Sequence, residues 1–454
     1  MRSGFTIGLS VVIVSITGLL LMVVGSGYGA RAVQMVTPPE HTLGDLTPVA
    51  LLREPVPDSH PDAARLRRGQ YLVAAGDCMS CHLRAGGEAF SGGLGLNTPF
   101  GTIYSSNITS DSQTGIGGWT EEQFYRAMHA GIGAQGENLY PAFPYPWFRN
   151  LPREDTDAIL AYLKTTPPVR YTPPNNELHF PMGFRFLVKG WNLLHLKEAE
   201  FQADSTRSPE WNRGAWLVKG PGHCSGCHTA KSSLGADVSE RAFFGGDLDS
   251  WVAPDLTPNT RTGLGAWGAQ DIADYLKSGR NAHAAAGGPM ADVVTYSTTF
   301  LTDADRHAIA TYLQSLPVSP AQTPASLQSG AMQRGAAIYS DACTGCHLEG
   351  GIGQPGYFPP LKNDAMLQQP DPTGLVHLIL AGSRIGTSAS RPSPLTMPSF
   401  AWKLSDPEVA DVATYIRNSW GNAAGAVSAE QVTQLRKRLG LDTLRPTANS
   451  GDWQ

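Results

Sequence analysis

The sequence predicts a mainly α protein of three tandem domains with long Gly/Pro-rich loops, and three observations carry that expectation. The pattern Cys-x-x-Cys-His occurs three times, at Cys78-Met79-Ser80-Cys81-His82, Cys224-Ser225-Gly226-Cys227-His228 and Cys343-Thr344-Gly345-Cys346-His347. An Arg-Gly that opens a helical stretch precedes each one (Arg68-Gly69, Arg213-Gly214, Arg334-Gly335), and a helix with a Tyr on it follows each one (Tyr162, Tyr312, Tyr415). The length of 454 residues suits about three domains. Charged residues make up only 16%, while 50 Gly and 34 Pro are in excess, which excludes a coiled coil and a charge-rich disordered chain.

Taken in order, the chain starts with Arg2 and then twenty uncharged residues, Phe5 to Val24, followed by Ala30-Arg31-Ala32. This reads as a signal peptide over residues 1–32, or as an N-terminal anchor if it is not cleaved, and both put the rest of the chain outside the cytoplasm. The three units are expected at residues 60–170, 205–318 and 328–421. Pro167-Pro168, Pro173-Pro174 and a connector through Trp191 to Ser208 separate the first two, and Pro317, Pro320 and Pro324 separate the last two. Each closing helix, beginning at Leu151, Leu301 or Leu404, has acidic residues in its first turn, which the helix dipole favours. Residues 422–454 form a polar tail with an apolar patch at Val432, Leu435 and Leu439, read as a helix docked on the body.

Cys-x-x-Cys-His is the attachment signature of c-type haem. Zinc ribbons place two Cys-x-x-Cys pairs about 15–20 residues apart, whereas these pairs lie more than a hundred residues apart. The reading is three covalently bound haem c groups on Cys78 and Cys81, Cys224 and Cys227, and Cys343 and Cys346. His82, His228 and His347 are the iron ligands on one side.

A second axial ligand decides what such an iron does, and a Met sulfur restricts it to electron transfer. Met290 stands 62 residues after His228, and Met397 stands 50 after His347, each in a Pro-containing loop ahead of its closing helix. They are the expected sixth ligands of the second and third groups. At the matching place, 61 residues after His82, the first unit has Phe143 in Tyr140-Pro141-Ala142-Phe143-Pro144-Tyr145. The first haem is therefore expected to be five-coordinate under an aromatic lid, or ligated by His129 or Met128; Met182 lies beyond the closing helix and is a poor candidate.

The remaining features have structural readings. Gly92-Gly93 and Gly245-Gly246 read as turns at the haem edge. Trp119, Trp251 and Trp267 read as packing, and His179, His195, His283, His307 and His377 as surface or helix-end residues. With a net charge of −5, the chain offers no electrostatic case for nucleic acid.

Several segments together resemble the membrane-associated tri-haem cytochrome c subunit of bacterial dehydrogenases. They are Gly69 to Cys78, Thr98-Pro-Phe-Gly-Thr-Ile-Tyr104, Asn107-Ile-Thr109, Leu139-Tyr-Pro141, Gly222-His-Cys224, Trp251-Val-Ala-Pro254, Gly288-Pro-Met290 and Met397-Pro398. The resemblance implies three tandem cytochrome c-like (class I) domains. It also implies a catalytic dehydrogenase partner (quinoprotein, flavoprotein or molybdenum enzyme) whose electrons pass to ubiquinone at the periplasmic membrane surface. Relatives that serve alcohol dehydrogenases commonly carry Met where Phe143 stands, so neither the first axial ligand nor the alcohol-dehydrogenase assignment carries over. An alternative from a different class is a haem enzyme, peroxidase-like or a small-ligand reductase, that uses an open first haem.

Overall fold

The computed structural model describes residues 47–196, 201–321 and 329–444, apart from 390 and 394. The leader expected at residues 1–32 lies outside the described residues. Among those described, no helix is long and apolar enough to cross a membrane.

One architectural unit occurs three times. Opening helices span Ala63–Ala75, Pro209–Lys219 and Ser329–Ala342. Middle helices span Glu121–Ala130, Ala269–Ser278 and Thr373–Ala381, and closing helices span Arg153–Leu163, Asp303–Leu313 and Asp406–Ile416. Each opening helix packs on the closing helix of its own unit.

The Arg-Gly pairs lie in the second turn of their helices rather than at the start, and the crossing explains why. A Cβ on Gly69 would come within 2.0 Å of the Ala158 carbonyl oxygen; on Gly214 it would come within 1.9 Å of that of Ala308, and on Gly335 within 2.3 Å of that of Asp411. Only glycine lets the two backbones meet there. The Tyr162, Tyr312 and Tyr415 Cβ atoms border the same three points. The neighbouring Arg then clamps the crossing with a two-pronged ion pair: Arg68 to Asp155 at 2.7 and 2.8 Å, and Arg213 to Asp305 at 2.8 and 2.7 Å. The third unit moves the carboxylate one turn along. Arg334 takes Asp411 at 2.6 and 2.9 Å, while Glu408 caps its own helix at Ser405.

The closing helices begin two residues later than the Leu that announces them. Leu151, Leu301 and Leu404 are buried just outside the caps Pro152, Thr302 and Ser405, where an apolar residue staples the entry of the chain to the core. Gly131 and Gly279 end their middle helices with positive φ, 63° and 71°, as a left-handed cap requires.

Short antiparallel strands trim each unit. Gly95–Thr98 pairs with Gly101–Tyr104, which also pairs with Glu177–Leu178; Gly246–Leu248 pairs with Trp251–Ala253; Ser383–Arg384 pairs with Thr396–Met397. One apolar cluster runs through the first and second units and includes Leu72, Met79, Phe148 and Ile159 with Ala215, Leu217, Tyr296 and Leu313. The third unit has its own cluster, with Tyr339, Leu380, Val409 and Ile416. The tail helix Ala429–Arg438 docks there through Val432 and Leu435. Its Arg436, fully buried, bonds Asp406 at 2.6 Å and the carbonyls of Ala401 and Leu404 at 2.8 and 2.7 Å.

Candidate haem-attachment sites

Each Cys-x-x-Cys-His sits on one short helical turn: Cys78–His82, Ser225–His228 with Cys224 as its cap, and Thr344–His347 with Cys343 as its cap. The three imidazoles share one arrangement. Nδ1 of His82 lies 2.6 Å from the Ser106 carbonyl, Nδ1 of His228 lies 2.7 Å from that of Pro254, and Nδ1 of His347 lies 3.1 Å from that of Pro359. A carbonyl only accepts, so Nδ1 carries the proton and Nε2 keeps its lone pair for a metal. Burial also pushes the pKa of all three imidazoles down, which favours the neutral, ligating form. These residues fit an iron porphyrin bonded to the adjacent sulfurs.

A dithiol redox role fits less well. Such a centre needs a thiol with a lowered pKa, yet burial pushes Cys78, Cys81 and Cys224 up to about 12 and Cys343 up to about 11. Among the described residues, no group of three or more His, Cys, Asp or Glu could hold a metal ion.

The double glycines stand beside the His of their turns. The Gly92 N–H donates to the His82 carbonyl at 2.9 Å and that of Gly245 to the His228 carbonyl at 3.1 Å. A Cβ on Gly92 would lie 2.2 Å from the Ser106 oxygen, the residue whose carbonyl holds His82.

Met290 is the second residue of a short helix, Pro289–Tyr296, rather than part of a loop, because Pro289 suits a first helical turn. That helix also packs against the Cys78–His82 turn of the first unit. The Trp251 ring covers Gly288, whose added Cβ would lie 2.8 Å from it. Met397 is half-buried against the third core, in the strand Thr396–Met397.

In the first unit, Phe143 packs against Tyr145 and Phe148, with ring centroids 6.2 and 5.8 Å away. Met128 is buried in the shared core. His129 stacks on Tyr125 at 4.0 Å, and its Nε2 lies 3.3 Å from the Thr156 hydroxyl. Burial, with Arg149 and Arg153 nearby, pushes its pKa down to about 4. Met182 is not remote from this unit: its carbonyl accepts from the Tyr140 hydroxyl at 3.1 Å.

His377 is a correction to the surface reading. It is buried, stacked on Trp251 at 3.8 Å, and its Nδ1 lies 2.9 Å from the Ser250 carbonyl, so the Trp–His pair joins the second and third units. The sequence also gave no sign of the seam between the first two attachment turns. There Trp147 donates to the Ser225 hydroxyl at 2.6 Å, and the His223 ring lies 5.6 Å from that of Phe148. Asp77, beside Cys78, is buried at this seam; burial pushes its carboxyl up to about 7, against the lowering effect of the Ser80 hydroxyl.

The fold and these turns define a class, and comparison with known proteins agrees. The chain belongs to the cytochrome c family, whose profile matches residues 66–167, 212–317 and 332–420. It is 38% identical to the gluconate 2-dehydrogenase cytochrome c subunit of Pantoea cypripedii, over 84% of this chain and 91% of that one. It is 39% identical to the cytochrome c subunit of the quinone alcohol dehydrogenase of Gluconobacter oxydans, over 83% of both chains. The fructose dehydrogenase cytochrome subunit of Gluconobacter japonicus is 36% identical, over 84% of this chain and 85% of that one. The resemblance drawn from the motifs holds over most of the chain. Cytochrome c domains of this kind carry covalent haem c.

Proposed function

We propose that this chain is the electron-transfer subunit of a quinone-dependent dehydrogenase complex. A quinoprotein, flavoprotein or molybdenum enzyme would be its catalytic partner, and ubiquinone at the periplasmic membrane surface its acceptor. One observation carries the reading: three Cys-x-x-Cys-His turns, each with Nδ1 tied to a backbone carbonyl, in a chain that aligns with three dehydrogenase cytochrome subunits. Haem c, when bound, supplies a one-electron iron couple. The Cys pairs would fix its edge, and His82, His228 and His347 would present Nε2 to the iron. Met290 and Met397 are the proposed sixth ligands of the second and third groups. The Ser106, Pro254 and Pro359 carbonyls hold the imidazole tautomer and orientation.

Mass spectrometry of the exported protein tests the attachment, with three added haem masses expected and fewer than two overturning the reading. Ubiquinone reduction by the partner enzyme on its substrate, with and without this chain, tests the electron path. Met290→Leu and Met397→Leu should each convert one low-spin His/Met signature to high spin.

Phe143 favours a second reading, in which an open first haem performs small-ligand chemistry. Turnover of peroxide or nitrite by the isolated chain would support it, and three low-spin haems with no turnover would remove it.

A further inference from the structure

A surface helix ordinarily turns its apolar stripe toward the protein. Helix Phe186–His195 does the reverse. Val188 is buried; Trp191 Nε1 donates to the Leu234 carbonyl at 2.9 Å; Asn192 accepts from the Tyr145 hydroxyl at 2.5 Å. These residues are the inner face. The outer face is Phe186, Leu187, Gly190, Leu193 and Leu194, spaced as one stripe of a helix. Phe186 is 68% exposed, Leu193 87% and Leu194 70%.

The preceding loop extends the stripe. Phe180 and Phe184 are exposed, and the Phe184 ring lies 5.9 Å from both Phe180 and Phe186, so the three form one cluster. Contiguous apolar surface of this kind marks an interaction site. Its charge indicates the partner. Residues 179–195 include Arg185 and Lys189 but no Asp or Glu, in a chain with a net charge of −5. Outward Phe and Leu beside cations are the composition of a helix lying in a membrane interface facing anionic headgroups. Leu193 and Leu194 have no hydrogen-bonding side-chain groups of the sort that line the rim of a protein interface.

We propose that residues 180–194 dock on the surface of an anionic lipid bilayer, with helix Phe186–His195 lying in its plane. The inference rests on the membrane-side reading above and assigns that reading a surface. It also fixes which unit faces the lipid. Tyr140 bonds the Met182 and Gly183 carbonyls, Arg185 lies over the Tyr140 ring at 4.9 Å, and Tyr145 bonds Asn192, so the patch is built on the aromatic segment of the first unit.

In the holoprotein all six native cysteines are thioethers, so Leu194→Cys in the full-length chain gives one labelling site. An environment-sensitive fluorophore there should shift to the blue on phosphatidylglycerol vesicles and be quenched by brominated acyl chains. The same label at Val318→Cys, an exposed control in the second connector, should respond to neither. Adding Phe180→Ser and Phe186→Ser to the labelled chain should reduce vesicle quenching at residue 194 tenfold or more, with haem content reporting the fold. No response to vesicles overturns the proposal. So does a response only to the dehydrogenase partner, which makes the patch a protein interface, or a blue label before vesicles are added, which means that residues of this chain already cover it. Partner-driven haem reduction is read in the same samples and tests the electron-transfer reading separately.

Discussion

The second unit meets its neighbours in two different ways. Toward the first unit it shares one apolar core, to which Trp216 contributes between Arg68 and Arg213, with the guanidinium carbons 5.8 and 4.6 Å from its ring. Tyr71 of the first unit adds a hydroxyl bond to Asp305, the carboxylate that the second unit uses for its own Arg213. Toward the third unit the contacts are mainly polar. Arg261 Nε donates to the Gln368 side chain at 3.0 Å, Gln369 to the Thr262 carbonyl at 2.5 Å, and Arg280 to the Gly356 and Ser393 carbonyls at 3.0 and 3.1 Å. The Trp251–His377 stack is the aromatic centre of that contact. Apolar burial contributes about 25 cal/mol per Å², whereas a hydrogen bond nets only about 1 kcal/mol after water is displaced. The first two units are therefore expected to unfold together and the third on its own.

Five substitutions test that contrast. Arg436→Ala removes the buried cation that bonds Asp406 and the Ala401 and Leu404 carbonyls, at a cost of about 4 kcal/mol. Differential scanning calorimetry should show the third unit melting early and the pair unchanged. Gly214→Ala drives a Cβ into the Ala308 carbonyl and should cost about 3 kcal/mol. If the core is truly shared, the first and second units lose stability together; Gly335→Ala, the same lesion in the third unit, should leave them intact. Separate melting of the first two units in the Gly214→Ala protein would break the comparison.

Trp251→Ala removes the stack between the second and third units, for about 2 kcal/mol. Limited proteolysis should then cut faster near residues 317–321, releasing the third unit from a folded pair. Tyr71→Phe deletes the hydroxyl that donates to Asp305 and accepts from the Thr302 N–H at the first seam, and should cost about 1 kcal/mol. Urea titration should show a small loss in the transition of the pair alone.

The three Cys-x-x-Cys-His turns are legible because their residues fall within five consecutive positions. The Arg-Gly and Tyr marks were legible as a repeat, but their purpose was not, since Gly69 and Ala158 meet only when the helices cross. The burial of His377 is not legible in its own segment, because its partner, Trp251, lies in another unit. Gly287-Gly288-Pro289 reads as a turn that would put Met290 in a loop, whereas it leads directly into a helix. Arg436, a cation in a polar tail, gave no sign of full burial.

What the sequence determined by itself was everything set by covalent reach and local backbone preference: three Cys-x-x-Cys-His turns, acidic starts to the closing helices, and an apolar patch that docks the tail. The tertiary structure alone decided which carbonyl orients each histidine, which two units share a core, and which way the stripe on Phe186–His195 faces. Those outcomes depend on groups from 12 to more than two hundred residues apart, and only burial and backbone packing bring them together.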